Sequence, residues 1–135
     1  MYTDRGVQTL GESHISALTG ILTGFALTSD NLALLPPERL ALLGRAATLR
    51  MRNVRPGVKS LGWGEAWPSS FIGTVGGAPA AALVNEGTEP KTWKLAEIEG
   101  FAAERPCEEL LHPLGAIAGD SITVGPHDAV LLVQH

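Results

Sequence analysis

The residues best suited to chemistry in this chain fall into three groups. The first is Ser29-Asp30, where a hydroxyl and a carboxylate follow the short apolar run Phe25-Ala26-Leu27-Thr28 and precede Pro36-Pro37. An aspartate at such a place can accept a hydrogen bond from a ligand, or bond its own backbone in a turn. The second is the pair Trp63 and Trp67 in Gly62-Trp63-Gly64-Glu65-Ala66-Trp67-Pro68, whose glycines and proline make it a loop. Large aromatics there can offer flat faces to a ligand or anchor one packing layer on another. The third is the scattered set His112, His127, His135 and Cys107. Their spacings lack the short paired repeats of a structural zinc site, so the expected reading is no metal and no cofactor. Glu65 with Asp120 or Asp128 would make an acid/base pair, but nothing in their spacing supports one.

These groups need elements to hold them. Leu10, Ile15, Leu18, Ile21 and Leu22 recur at helical spacing, with Glu12 near the start and Gly20 as the expected stop. The run Phe25–Thr28, bounded by Gly24 and by Ser29-Asp30-Asn31, reads as a buried parallel strand. Pro36-Pro37 then opens a second helix, because proline's missing N–H costs nothing in the first turn and Glu38 complements the positive helix end. Its apolar stripe is read as Leu40, Leu43 and Ala47, with Leu42 and Ala46 beside it. One parallel strand with two striped helices cannot close a sheet by itself, so this segment requires a larger body to pack on.

The stretch around Arg50, Arg52, Asn53, Arg55 and Pro56-Gly57 reads as polar and turn-rich, and a domain boundary is expected near residue 55, dividing the chain into 1–55 and 56–135. Beyond it, six β-like runs alternate with turn signals: Val58–Leu61, Phe71–Val75, Ala80–Asn85, Thr92–Leu95, Ser121–Val124 and Ala129–Val133. Gly76-Gly77 suits a tight hairpin and Glu86-Gly87-Thr88-Glu89-Pro90 a longer one. Trp93 and Leu95 should point inward and Lys94 outward, and the last run is apolar enough to be central. The expected class is therefore α+β: a short helix-strand-helix segment followed by an antiparallel β-sandwich.

Composition narrows the partners. A formal charge of −4 and a pI near 5.5 argue against nucleic acid or an anionic membrane, since neither polyanion is attracted by that balance. One cysteine among 135 residues excludes an intrachain disulfide. No run approaches the roughly 20 apolar residues that span a bilayer, and Met1–Arg5 lacks the layout of a signal peptide. A cytoplasmic location is expected.

The order of Ser29-Asp30-Asn31-Leu32 and Leu35–Leu43, then Ala80–Pro90, then Gly125-Pro126-His127-Asp128-Ala129-Val130-Leu131-Leu132 resembles the C-terminal end of α-galactosidase-like, melibiase-type glycoside hydrolases. In those enzymes a (β/α)8 barrel ends in a strand, an acidic loop and a helix, and passes into an antiparallel sandwich. The resemblance implies that Glu12–Gly20 is the helix before the last barrel strand, Phe25–Thr28 that strand and Pro37–Arg50 the final barrel helix.

The resemblance also implies that the two carboxylates of such retaining glycosidases lie on earlier barrel strands, so no catalytic residue is assigned to this chain. Ser29 and Asp30, at the C-terminal end of the strand, become candidate sugar contacts, joined by Trp63 and Trp67. The expected partners are a carbohydrate, and the missing barrel portion or a second copy of the chain, the latter giving a homo-oligomer. The alternative is a stand-alone carbohydrate-binding or oligomerisation module without enzymatic activity.

Overall fold

The computed structural model describes residues 9–24, 35–57, 69–102, 104–112, 116–117 and 119–135. Helix α1 spans Leu10–Thr23 and α2 spans Pro37–Thr48. Among the described residues eight strands follow: β1 Arg52–Pro56, β2 Ser70–Val75, β3 Ala78–Asn85, β4 Lys91–Lys94, β5 Cys107–Glu109, β6 Ala116–Ile117, β7 Ser121–Val124 and β8 Asp128–Gln134. Six of them form an antiparallel sheet in the order β1-β2-β3-β8-β5-β6, and β4 pairs with β7 in a second sheet. The expected run Val58–Leu61 and the expected strand Phe25–Thr28 lie outside the described residues.

The helices begin where their sequence signals place them. Thr9 caps α1 through a reciprocal pair: its N–H donates to the Glu12 carboxylate at 2.8 Å, and the Glu12 N–H donates to the Thr9 hydroxyl at 3.2 Å. The α2 start at Pro37 uses proline as expected. The stop of α1 differs. Gly20 is buried within the helix, which continues to Thr23 and ends at Gly24, whose φ of 71° is the left-handed conformation a glycine terminator supplies.

The face of α2 also differs from the expected stripe. Arg39, Leu42 and Ala46 are buried, whereas Leu40 is 47% exposed and Ala47 is exposed. In a run where leucines and alanines occupy adjacent positions, periodicity admits two neighbouring faces, and packing on α1 selects one.

Alternation along β3 and β8 builds two cores on opposite faces of the large sheet. Ala80, Ala82, Ala129, Leu131 and Val133 face α1 and α2, where Ala17, Leu18, Ile21, Leu42 and Ala46 meet them. Ala81, Leu83, Val130 and Leu132 face the small sheet and its connections, meeting Ile122, Val124, Leu95, Ile98 and Phe101. The layers are thus helices, large sheet and small sheet. As expected, β8 is central, between β3 and β5.

Gly76 and Gly77, with φ of 58° and 82°, make the tight β2–β3 turn that suits the twist of the flanking strands. The Glu86–Pro90 stretch is a corner instead of the expected hairpin: β3 pairs with β2 and β8, and the chain crosses to the other sheet to begin β4. Asn85 ties that corner down, its side-chain nitrogen 2.8 Å from the Glu89 carbonyl and 3.1 Å from those of Val124 and Gly125. The polar stretch read as turn-rich holds β1, an exposed edge strand with an irregular register between Arg52 and Arg55. The bidentate Arg55–Glu99 pair, at 2.6 and 2.8 Å, fastens this edge. Leu95 sits just beyond β4 in a 3-10 turn, buried, with Lys94 exposed and Trp93 half-buried.

Candidate functional site

Ser29, Asp30, Trp63, Trp67 and Glu65 lie outside the described residues. Of the other residues singled out from sequence, Asp120 is exposed in the connection before β7, His127 is an exposed turn residue with φ of 49°, and His135 is exposed beside Glu108 at 3.1 Å. Cys107 is buried at the start of β5, and that burial pushes its thiol above the ordinary range, the reverse of what a nucleophile needs.

Two of the singled-out residues do meet, with a third that sequence reasoning passed over. His14 on α1, His112 in the turn after β5 and Asp128 at the start of β8 converge, each with a potential ligand atom within 4.8 Å of the others. The Nδ1–H of His14 donates to Asp128 Oδ1 at 2.8 Å, and His112 Nε2 lies 3.1 Å from Asp128 Oδ2. The two imidazoles stack obliquely, with ring centroids 3.9 Å apart and planes at 43°.

Each member is positioned by backbone. Gly11 lets the first turn of α1 press against the β7–β8 turn, since a Cβ there would collide with the His127 carbonyl oxygen. That approach sets His14, one turn further along, beside Asp128. Asp128 Oδ1 also accepts the Ala129 N–H at 2.7 Å.

Behind His112 stands Glu109, which is 3% exposed. Its carboxylate accepts the N–H groups of Leu111 at 2.8 Å, Leu131 at 3.1 Å and His112 at 2.5 Å, so it is rigidly held. His112 Nδ1 is 3.2 Å from Glu109 Oε2, yet it is buried without a well-aligned hydrogen bond. On the other side, Arg39 of α2 donates to the Ser13 hydroxyl at 2.9 Å, and Arg45 donates to the Leu111 carbonyl at 2.9 Å. Both helices are therefore linked to the turn that carries His112.

The result is a chain of partners, Glu109, His112, Asp128 and His14, between the helices and the sheet. Burial opposes the charge on His112, but its interactions with Asp128 and Glu109 override it and raise the imidazole from 6.5 to about 9. Burial likewise opposes the charge on Asp128, and the hydrogen bonds from His112, His14 and the Ala129 N–H hold its carboxyl well below the usual carboxylate range. An imidazolium thus bridges two carboxylates. The paired short spacings sought in sequence could not reveal this, because His14 and Asp128 are 114 positions apart.

No family profile matches the sequence, and no curated protein matches it. Comparison with solved structures shows its fold. The chain superposes on a β-L-arabinopyranosidase of glycoside hydrolase family 27 from Geobacillus stearothermophilus with a TM-score of 0.58 at 14% identity, covering 93% of this chain and 30% of that one. It matches a putative α-galactosidase/melibiase from Bacteroides fragilis with a TM-score of 0.60 at 11% identity, over 92% and 28%. A second putative α-galactosidase from that organism gives 0.56 at 12% identity, over 100% and 32%. The chain spans about a third of the length of these proteins and matches a C-terminal portion of them. The α+β class with an antiparallel C-terminal sandwich is the fold expected from sequence. Among the described residues, no helix is long and apolar enough to cross a membrane.

Proposed function

We propose that this chain forms the C-terminal, non-catalytic portion of an α-galactosidase-like glycoside hydrolase acting on terminal α-linked sugars. The observation that carries this reading is that 92–100% of the chain superposes on only 28–32% of such enzymes. In this reading residues 1–55 belong with a barrel and 56–135 form the sandwich that packs against it. The catalytic carboxylates are supplied by another polypeptide segment.

Surface features support a missing neighbour. Leu40 of α2 and Leu10 of α1 are exposed, and an apolar groove of about 420 Å³ runs between α1 and the β1–β3 end of the sheet, lined by Ile15, Leu18, Leu22, Val54, Phe71 and Val84. The same surfaces would serve self-association, so the chain alone is expected to form homo-oligomers, detectable by gel filtration with light scattering. A cytoplasmic setting accompanies the proposal, consistent with the free Cys107 thiol. Assay of the purified chain on a nitrophenyl α-galactoside tests it. No turnover is expected, and clear turnover would show that the machinery is present.

A second reading, a stand-alone carbohydrate-binding module, draws on a cleft of about 640 Å³ between the sheets, where half-buried Trp93 lies beside Lys91, Glu97 and Glu99. The Lys91 ammonium sits 4.7 Å over the Trp93 ring. Glycan-array binding lost in Trp93→Ala would favour this module over the enzyme portion.

A further inference from the structure

We propose that His14, His112 and Asp128 form a binding site for a divalent transition-metal ion of the zinc class, which clips α1 to the sheet. Three donor atoms come from three separate elements and lie within 4.8 Å of one another. Adjacent donors are 2.8 and 3.1 Å apart, His14 Nδ1 to Asp128 Oδ1 and His112 Nε2 to Asp128 Oδ2. An ion with bonds of about 2.0–2.2 Å at tetrahedral angles spaces its donors about 3.3–3.6 Å apart, so the hydrogen-bonded side chains need only open by a few tenths of an ångström to seat one. The ion would take the place of the hydrogens now shared along these two edges.

The surroundings are those of a ligand set as well as of a hydrogen-bonded cluster. His112 turns Nε2 toward the other donors and Nδ1 toward the buried Glu109 carboxylate at 3.2 Å. A carboxylate behind a ligating imidazole fixes its tautomer and raises its basicity. Glu109 is itself held by three backbone N–H groups, so His112 is backed by a rigid anion. Charge favours a divalent occupant: the Asp128 and Glu109 carboxylates both face His112, and two negative charges are balanced by one divalent ion. Two imidazoles with one carboxylate select zinc, cobalt, nickel or copper over calcium and magnesium, which prefer all-oxygen shells. The His112 and Asp128 side chains are 16% and 22% exposed, which leaves a path for the ion and a position for water.

Such an ion would act on the fold. His14 is separated from Asp128 by 114 positions, and cross-linking distant segments removes conformational freedom from the unfolded state. The site is independent of the sugar chemistry proposed above.

The test is titration of the chelator-treated 135-residue chain with Zn²⁺ and Co²⁺, by calorimetry and visible absorption. One equivalent bound, a higher thermal midpoint reversed by chelator, and at least about tenfold weaker binding in each of His14→Gln, His112→Gln and Asp128→Asn are expected. His135→Ala, at the exposed Glu108 pair, should bind as the parent does. Absence of saturable uptake, uptake undiminished in both histidine variants, or uptake lost in His135→Ala would overturn the site. Should the variants fail to fold by circular dichroism, proton NMR of the Co²⁺-loaded parent decides. Hyperfine-shifted signals from two imidazole rings support the site, and their absence overturns it.

Discussion

The two faces of the large sheet are held by different physics. Toward the small sheet, Ala81, Leu83, Val130, Leu132, Ile122 and Phe101 make a core of apolar contact, with Gln134 satisfied by the Ala102 and Arg105 backbone at its margin. Toward the helices, a comparable apolar layer is joined by Arg39–Ser13, Arg45–Leu111 and the Glu109–His112–Asp128–His14 series. Apolar burial is non-directional and tolerates small shifts, whereas a buried charge is costly unless its partner stays in place. One face is thus secured by area and the other by area plus specific pairing, which lends the helix face sensitivity to protons.

Variants can break that contrast. The largest effect is expected from Glu109→Ala, which leaves three backbone N–H groups without their acceptor and His112 with Asp128 as its one remaining carboxylate partner. Loss of a buried charged partner costs about 3–5 kcal/mol, measurable by urea unfolding.

The same series sets the pH profile of the metal-free chain. His112 is raised from 6.5 to about 9, so its contribution is complete below pH 6.5 and is lost as pH rises through about 9. Asp128 is lowered from 3.8, so its contribution is present above that value and is lost as pH falls further. Stability should plateau between roughly pH 4 and 6.5 and decline toward pH 9. Glu109→Ala, which removes one of the groups that raise His112, should make that decline smaller and complete it at lower pH.

Leu132→Ala tests the other face. Leu132 is fully buried, and its truncation should cost about 3 kcal/mol while leaving the pH profile of the parent unchanged. A pH-dependent loss in this variant would abolish the distinction between the faces.

Gly11→Ala should cost about 2 kcal/mol, because the β7–β8 turn must move to relieve the collision with the His127 carbonyl. Its NMR signature should appear at His14 and Asp128. The smallest effect, about 1 kcal/mol, is expected for Thr9→Ala, which removes the α1 cap without touching either core.

Some of this molecule could be read directly. Pro37 and Glu12 sit at helix starts, and the runs at β2, β3, β7 and β8 are long or β-branched enough to declare themselves. Strands β1, β5 and β6 were missed. Arg52–Pro56 is polar and exposed, and Cys107–Glu109 carries two acidic residues, so neither shows apolar alternation; both form because a neighbouring strand offers them a hydrogen-bonded edge. Glu109 shows the limit most plainly, since a glutamate beside Glu108 reads as a solvated charge and is instead a buried acceptor beneath β8.

The sequence by itself determined the α+β class, most element positions, the central place of the last strand and the likeness to the C-terminal part of α-galactosidase-like glycosidases. These follow from local periodicity, turn chemistry and short motifs, all carried within a few residues. Only the tertiary structure decided which face of α2 is buried, that the Glu86–Pro90 corner leads from one sheet to the other, and that His14, His112 and Asp128 stand together. Those outcomes depend on contacts between segments far apart along the chain, and no local pattern encodes which distant side chain will arrive.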